Sequence, residues 1–289
     1  MMKNTGKKAQ QIKKAEQFLA LHHDPKLLVL PNIWDPIGAR LLQGQGYPAV
    51  ATASAGVAFS LGYDDGQKIT LAAMIEAVRR VADSVDVPVT ADMEGGYAEQ
   101  PKDVAENMRQ VLQAGAVGIN FEDSRIGGDS LHDIDFQGDR IRAIRSMANQ
   151  EGVPLVINAR VDTYIREDDL SDEDRLAETI TRAKAYLDAG ADCIYPIVVH
   201  DLEILTTIQD AIQAPINVLA LPIAPSMREL ETAGIARLSL GPFLFKAALT
   251  TMQNVAKELL AYGSYDVFSV GAMSSDEVHQ YLRDGRMGA

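Results

Sequence analysis

The chain has 289 residues, 47% of them hydrophobic, and a formal net charge of -13. That length supports one large core, and the acidic balance excludes a nucleic-acid binder, which needs a basic face against phosphate. The single cysteine, Cys193, excludes an intramolecular disulfide and agrees with a reducing compartment. Residues 1–14 are basic and polar, without the apolar centre of a signal peptide. No run approaches the ~18 apolar residues of a membrane span. The expectation is a soluble, cytoplasmic protein.

In chain order, apolar runs at 27–32, 49–54, 87–94, 117–123, 155–161, 193–197, 216–220 and 236–240 predict strands. Between them the pattern predicts helices near 36–44, 70–84, 101–114, 138–150, 171–189, 201–212, 225–233 and 242–261. Ser171 with Glu173 and Asp174, and Pro101 with Asp103, are start signals. A faint repeat, Ala-Gly-Ala at 114–116 and 189–191 and Ala-Gly-Ile at 233–235, puts a glycine between helix and strand, where a left-handed C-cap turns the chain back.

Eight β-then-α units with near-continuous apolar strands predict an α/β fold, a (β/α)8 TIM-type barrel. A doubly wound open sheet is the alternative, but no Gly-x-Gly-x-x-Gly follows the first strand. The barrel is expected over 1–262. Residues 263–289 then form a helical appendage, with Ser274 and Glu277 as a capping box. It packs on its own barrel or reaches a neighbouring subunit.

Barrel chemistry gathers at the C-terminal ends of strands. Those ends carry Thr52 and Ser54, Asp92 and Glu94, Glu122 and Asp123, then Asn158, Arg160 and Asp162, with Asp65 in the loop after the second strand. Strand parity puts Asp92 and Glu94 on one face, where two carboxylates repel unless a cation or a proton intervenes. Mg²⁺ is the simplest resolution, because it takes one or two carboxylates and keeps several waters. Solvated acids at a strand end are the plain alternative. Arg160 suits a substrate carboxylate. An ion pair with a neighbouring acid is its alternative.

The absences narrow the chemistry. No predicted strand carries a lysine, which disfavours a Schiff-base aldolase. The turns after the last two strands lack a glycine-rich phosphate cradle. The five histidines show no metal-binding spacing, and only His132 falls in a long polar loop, 124–138, of the kind that forms a lid. Cys193 reads as a core residue.

Five ordered segments carry a resemblance. They are 32–40 (Asn-Ile-Trp-Asp-Pro-Ile-Gly-Ala-Arg), 54–65, 90–97 (Thr-Ala-Asp-Met-Glu-Gly-Gly-Tyr), 120–123 (Asn-Phe-Glu-Asp) and 158–162 (Asn-Ala-Arg-Val-Asp). Together they resemble the isocitrate lyase / phosphoenolpyruvate mutase superfamily over about residues 15–260. The resemblance implies a (β/α)8 barrel, a homo-oligomer (dimer or tetramer) with an exchanged C-terminal helix, and Mg²⁺, replaceable by Mn²⁺. It implies C–C or P–C bond chemistry beside a 2-oxo acid through an enolate. By motif, Asp92 is the direct metal ligand, Glu94 and Glu122 act largely through waters, and Asp65 lies beside them. The turn of Thr52, Ala53 and Ser54 grips the substrate carboxylate, and Arg160 binds substrate oxygens.

The departures matter for the reaction. Many members have Asp-x-Asp where this chain has Asp92-Met-Glu94. The lyases' lid sequence Lys-(Lys/Arg)-Cys-Gly-His is absent from 124–132, and their glutamate after the strand-six proline is Ile197 here. The lysine and asparagine of the mutase and phosphonopyruvate hydrolase lids are also missing. The reading is a Mg²⁺-dependent lyase for a small 2-oxo or 2-hydroxy carboxylic acid, with Arg125 and His132 as lid replacements for the acid/base. A C–P bond enzyme and a non-catalytic 2-oxo-acid binder are the alternatives.

Overall fold

The computed structural model describes residues 2–284 apart from 128–129 and 167–168. Two residues of the expected lid, and 285–289 of the appendage, therefore lie outside the described residues. The first strand is broken at Pro31 into β1 (Leu28–Leu30) and β2 (Asn32–Ile33), because proline has no N–H for the ladder. The other strands are β3 (Val50–Thr52), β4 (Val89–Asp92), β5 (Gly118–Glu122), β6 (Val156–Val161), β7 (Cys193–Pro196), β8 (Asn217–Leu219) and β9 (Arg237–Ser239). All pair in parallel, as β2-β3-β4-β5-β6-β7 and as β1-β9-β8.

Two seams join these sheets into a ring. At one, the Ile194 N–H donates to the Pro215 carbonyl at 3.0 Å and Ile194 bridges Ile216. At the other, Asn32 Oδ1 accepts from the N–H groups of Leu240 and Gly241, both at 2.9 Å, while its Nδ2 donates to the Thr52 carbonyl at 2.8 Å. Asn32 thus supplies the ladder contacts that Pro31 removes.

Helices cover the outside. α1 (Met2–Leu21) was not expected, although Ile12, Ala15, Phe18 and Leu19 have helical spacing. It crosses the N-terminal end of the barrel, where Gln11 Nε2 donates to the carbonyls of Leu112 (2.6 Å) and Ala116 (3.2 Å). Phe18 is fully buried there, a contribution of about 2 kcal/mol. Its fit requires Gly118: a methyl group at that position would lie 2.5 Å from a Phe18 ring carbon.

Next come α2 (Pro36–Gly44), α3 (Ser54–Ser60), α4 (Leu71–Ser84), α5 (Pro101–Gln113) and α6 (Ile134–Glu151), of which α3 is another unpredicted helix. The helix α6 begins four residues before its expected start, because the Asp133 carboxylate caps it by accepting from the N–H groups of Asp135 and Phe136. The lid loop shortens accordingly. The remaining helices are α7 (Asp172–Asp188), α8 (Leu202–Ile212), α9 (Met227–Thr232), α10 (Phe243–Leu260), α11 (Val267–Val270) and α12 (Ser275–Asp284). The repeated glycines Gly115, Gly190 and Gly234 all have positive φ (104°, 109° and 78°), as their turn role requires.

The expected capping box opens α12: Ser274 Oγ donates to Glu277 Oε2 at 2.8 Å and accepts from the Glu277 N–H. This helix lies on α2 of its own chain, with Tyr281 buried and its hydroxyl accepting from Gln45 Nε2 at 3.1 Å. Among the described residues, no helix is long and apolar enough to cross a membrane.

Candidate active site

The strand ends converge as their parity dictates. The β5–β6 register pairs Asn120 with Asn158 and Glu122 with Arg160, and the β6–β7 register puts Tyr195 on the other side of Arg160. Arg160 Nη1 lies 2.7 Å from Glu122 Oε2, and its Nε donates to Asp162 Oδ1 at 2.6 Å. Burial disfavours the Arg160 charge, but Glu122 and Asp162 outweigh it and hold the guanidinium protonated. The ion-pair reading of Arg160 is therefore met, with Glu122 and Asp162 as its partners.

Asp92 ends β4. Its Oδ2 accepts from the Ser54 N–H at 3.0 Å and from Ser54 Oγ at 2.8 Å, while its own N–H donates to Thr52 Oγ1 at 3.0 Å. The Ala53 N–H donates to the Ile33 carbonyl. The donors of the Thr52–Ser54 turn are thus engaged in fixing Asp92 and the β2–β3 ladder. Asp92 Oδ1 has no hydrogen-bond partner among the described residues.

Glu94 reaches the same site by a different route from the expected one. Strand parity ends at Asp92, and Glu94 sits in a turn with φ 50°, a left-handed conformation unusual for this residue type. Its Oε2 accepts from the Gln67 N–H at 2.8 Å, and Gln67 Oε1 accepts from the Tyr97 N–H at 2.7 Å. Gln67 therefore latches the loop bearing Asp65 onto the turn bearing Glu94. Burial, then Asp92, then Asp65 push the Glu94 carboxyl up to about 7. Asp65 is raised by desolvation and then by Asp92. Glu122 is raised by burial, against the opposing pull of Arg160. These carboxylates therefore repel one another without a cation. Even so, among the described residues no three His, Cys, Asp or Glu side chains stand close enough to hold one ion directly.

Asp123 and His132 are placed away from the mouth. Asp123 follows Glu122 and so faces outward, where its Oδ2 accepts from Tyr186 Oη (2.7 Å) and Arg182 Nη1 (3.2 Å). Its Oδ1 accepts from the Asp162 N–H at 2.9 Å. Burial and Asp162 raise this carboxyl to about 6. His132, expected in the lid, is fully buried, with Nε2 3.8 Å from Glu99 Oε2 and its ring against Phe136. Burial and Arg140 lower it to about 4. The physical reason is the loop root: the His132 N–H donates to the Asp123 carbonyl and its own carbonyl accepts from Arg182, which turns the side chain inward. Arg125 remains exposed on the loop. Cys193 is buried as expected, and burial pushes its thiol up to about 12.

The sequence reading missed Gln67, Tyr97 and Tyr195. Tyr97 closes the 90–97 segment and Tyr195 shares a face with Cys193 on a strand already identified, whereas Gln67 left no trace. It also missed Arg237, fully buried inside the barrel, which donates to Asn120 Oδ1 and to Ser239 Oγ.

Fold and site together define a class: an α/β barrel protein whose strand-end acids gather around Arg160. The family model described as phosphoenolpyruvate phosphomutase matches residues 18–260. A Mycobacterium tuberculosis protein is 33% identical over 240 residues, 83% of this chain and 87% of its own. The 2-methylisocitrate lyase of Escherichia coli is 29% identical over 78% of this chain and 77% of its own. A lyase/mutase-type protein of Burkholderia cenocepacia superposes with a TM-score of 0.88 at 33% identity, covering 96% of this chain and 99% of its own. The chain belongs to the phosphoenolpyruvate mutase / isocitrate lyase superfamily of lyases and mutases.

Proposed function

We propose that this chain is a Mg²⁺-dependent lyase for a small 2-oxo or 2-hydroxy carboxylic acid, acting by C–C cleavage or decarboxylation through an enolate. One observation carries the reading: Asp92, Glu94 and Glu122 meet beside Arg160, and Asp92 keeps one oxygen without a partner among the described residues. A donor set of one direct carboxylate, with the others acting through waters, would suit Mg²⁺ or Mn²⁺. Asp92 would ligate the ion, and Glu94 and Glu122 would hold its waters. When bound, the metal supplies Lewis acidity against the negative charge that develops on the substrate as its bond breaks.

The chain's own residues do the rest. Ser54 and Thr52 fix the Asp92 carboxylate in one orientation. Arg160, pre-set by Asp162, presents its guanidinium to substrate oxygens. Gln67 ties the Asp65 loop to the Glu94 turn, and Arg125 lies exposed on the expected lid loop. We also propose that residues 1–262 are the catalytic unit and 263–289 an appendage. A homo-oligomer is supported by exposed Leu260, Tyr262, Tyr265 and Phe268 at and beyond the end of α10.

The test is NMR of the purified protein with Mg²⁺ and oxaloacetate, isocitrate, 2-methylisocitrate, 2,3-dimethylmalate or phosphonopyruvate, with EDTA controls. Pyruvate, glyoxylate or oxalate released from one carbon acid and lost with EDTA supports the lyase. The family model's description favours one second reading, C–P chemistry. Phosphate or phosphoenolpyruvate from phosphonopyruvate would select it. Binding without turnover across the panel would select a 2-oxo-acid binder.

A further inference from the structure

One tyrosine at the strand ends is used by none of the roles above. Tyr195 stands next to Arg160 in the β6–β7 register, and its ring packs with Ile197 and Leu219. The residue is 4% exposed, yet its hydroxyl makes no hydrogen bond among the described residues. Its oxygen also differs from the sealed, unpartnered atoms of the interior, such as Thr90 Oγ1, Asn158 Oδ1 and Arg237 Nη1. What exposure Tyr195 has therefore reaches its tip. The charges that act on it are Arg160, Asp92, Arg237 and Asp162.

A buried tyrosine usually finds a partner for its O–H. Here the ring is buried while the hydroxyl is reachable, so the O–H is open to water or to a ligand oxygen.

We propose that Tyr195 contacts the substrate, its hydroxyl donating a hydrogen bond to an oxygen of the carboxylic acid held by Arg160. The two donors come from adjacent strands and clamp the same end of the ligand. The neutral phenol adds direction to the attraction of the guanidinium. This role rests on the carboxylic-acid reading of the site.

Titration calorimetry with Mg²⁺ and oxalate, a two-carbon analogue of a 2-oxo acid, tests it on the full chain and on Tyr195→Phe. The variant removes one oxygen and nothing else. A hydrogen bond to a charged ligand predicts an affinity lower by about 10-fold or more in the variant. Melting temperature and Mg²⁺ affinity without oxalate stay unchanged. Oxalate affinity within twofold of the wild type overturns the role of Tyr195 and leaves the site reading standing. A loss of Mg²⁺ affinity or stability in the variant also overturns it, in favour of a structural role. No oxalate binding by the wild type at millimolar concentration overturns the carboxylic-acid reading, and the Tyr195 role falls with it.

Discussion

Ser54 donates twice to one oxygen of Asp92, through its N–H at 3.0 Å and its Oγ at 2.8 Å, and leaves the other oxygen without a partner among the described residues. Asp92→Ala should abolish Mg²⁺-dependent ligand binding. Ser54→Ala removes one hydrogen bond to a charged acceptor, worth about 1.5–3 kcal/mol, and should weaken Mg²⁺ binding by about 10-fold or more. Calorimetry with Mg²⁺ alone reads both. Equal affinity in Asp92→Ala and wild type would displace the metal site.

Arg160 is held from both sides, by Glu122 and by Asp162. Arg160→Ala should lower affinity for the carboxylic acid by about 10-fold or more while metal binding persists. Loss of both together would make Arg160 a structural residue of the acid cluster. Retention of both would remove it from the site.

The Glu94 carboxyl, raised to about 7 from an ordinary 4.5, gives a pH dependence with a definite sign. The folded chain holds this proton over a range in which the unfolded chain has released it. The group's contribution to stability is therefore fully present below about 4.5 and is lost as pH rises toward 7, an effect of up to about 3 kcal/mol. A cation that takes the place of the proton reverses the loss. The gain in melting temperature on adding Mg²⁺ should be larger at pH 8 than at pH 5.5, and Glu94→Gln should flatten that difference. The buried histidines His22 and His132, lowered to about 3 and 4, titrate alike with and without metal and cancel in the comparison.

Arg182 joins three parts of the structure, donating to Asp123, to the His132 carbonyl and to Tyr186 Oη. Arg182→Ala leaves Asp123 buried without its cation, a loss of about 3–5 kcal/mol. Denaturant unfolding measures it. A loss below about 1 kcal/mol would show that Tyr186 alone satisfies the carboxylate.

His132→Ala should leave the pH profile of kcat unchanged, because the ring is buried against Phe136 and beyond reach of the cleft. Removing the ring opens a cavity and should lower the melting temperature instead. A vanished limb in the pH–rate profile would return His132 to the chemistry.

Much of this protein could be read from its sequence. The strand and helix periods, and the glycines at 115, 190 and 234, came from local rules: side-chain alternation, 3.6-residue spacing and the φ freedom of glycine. The same alternation put Glu122, Arg160 and Asp162 on one face, because a strand's parity is fixed whatever it packs against. Asp92 was legible as a strand-end acid for the same reason. Family membership came from five short segments in order.

What the tertiary structure decided are the contacts between segments distant in sequence. Gln67 latches Glu94 from 27 residues away, and no spacing rule encodes that contact. His132 turned inward because Arg182, 50 residues on, takes its carbonyl. Asn32 closes the barrel by reaching Leu240 across 208 residues. The α1 helix has the right period, but Phe18 finds its burial only where Gly118 leaves a gap in the barrel floor. Sequence specifies which face a side chain takes, since that depends on its own backbone. Which partner it meets depends on loop closure and packing, and these are settled only when the whole chain has folded.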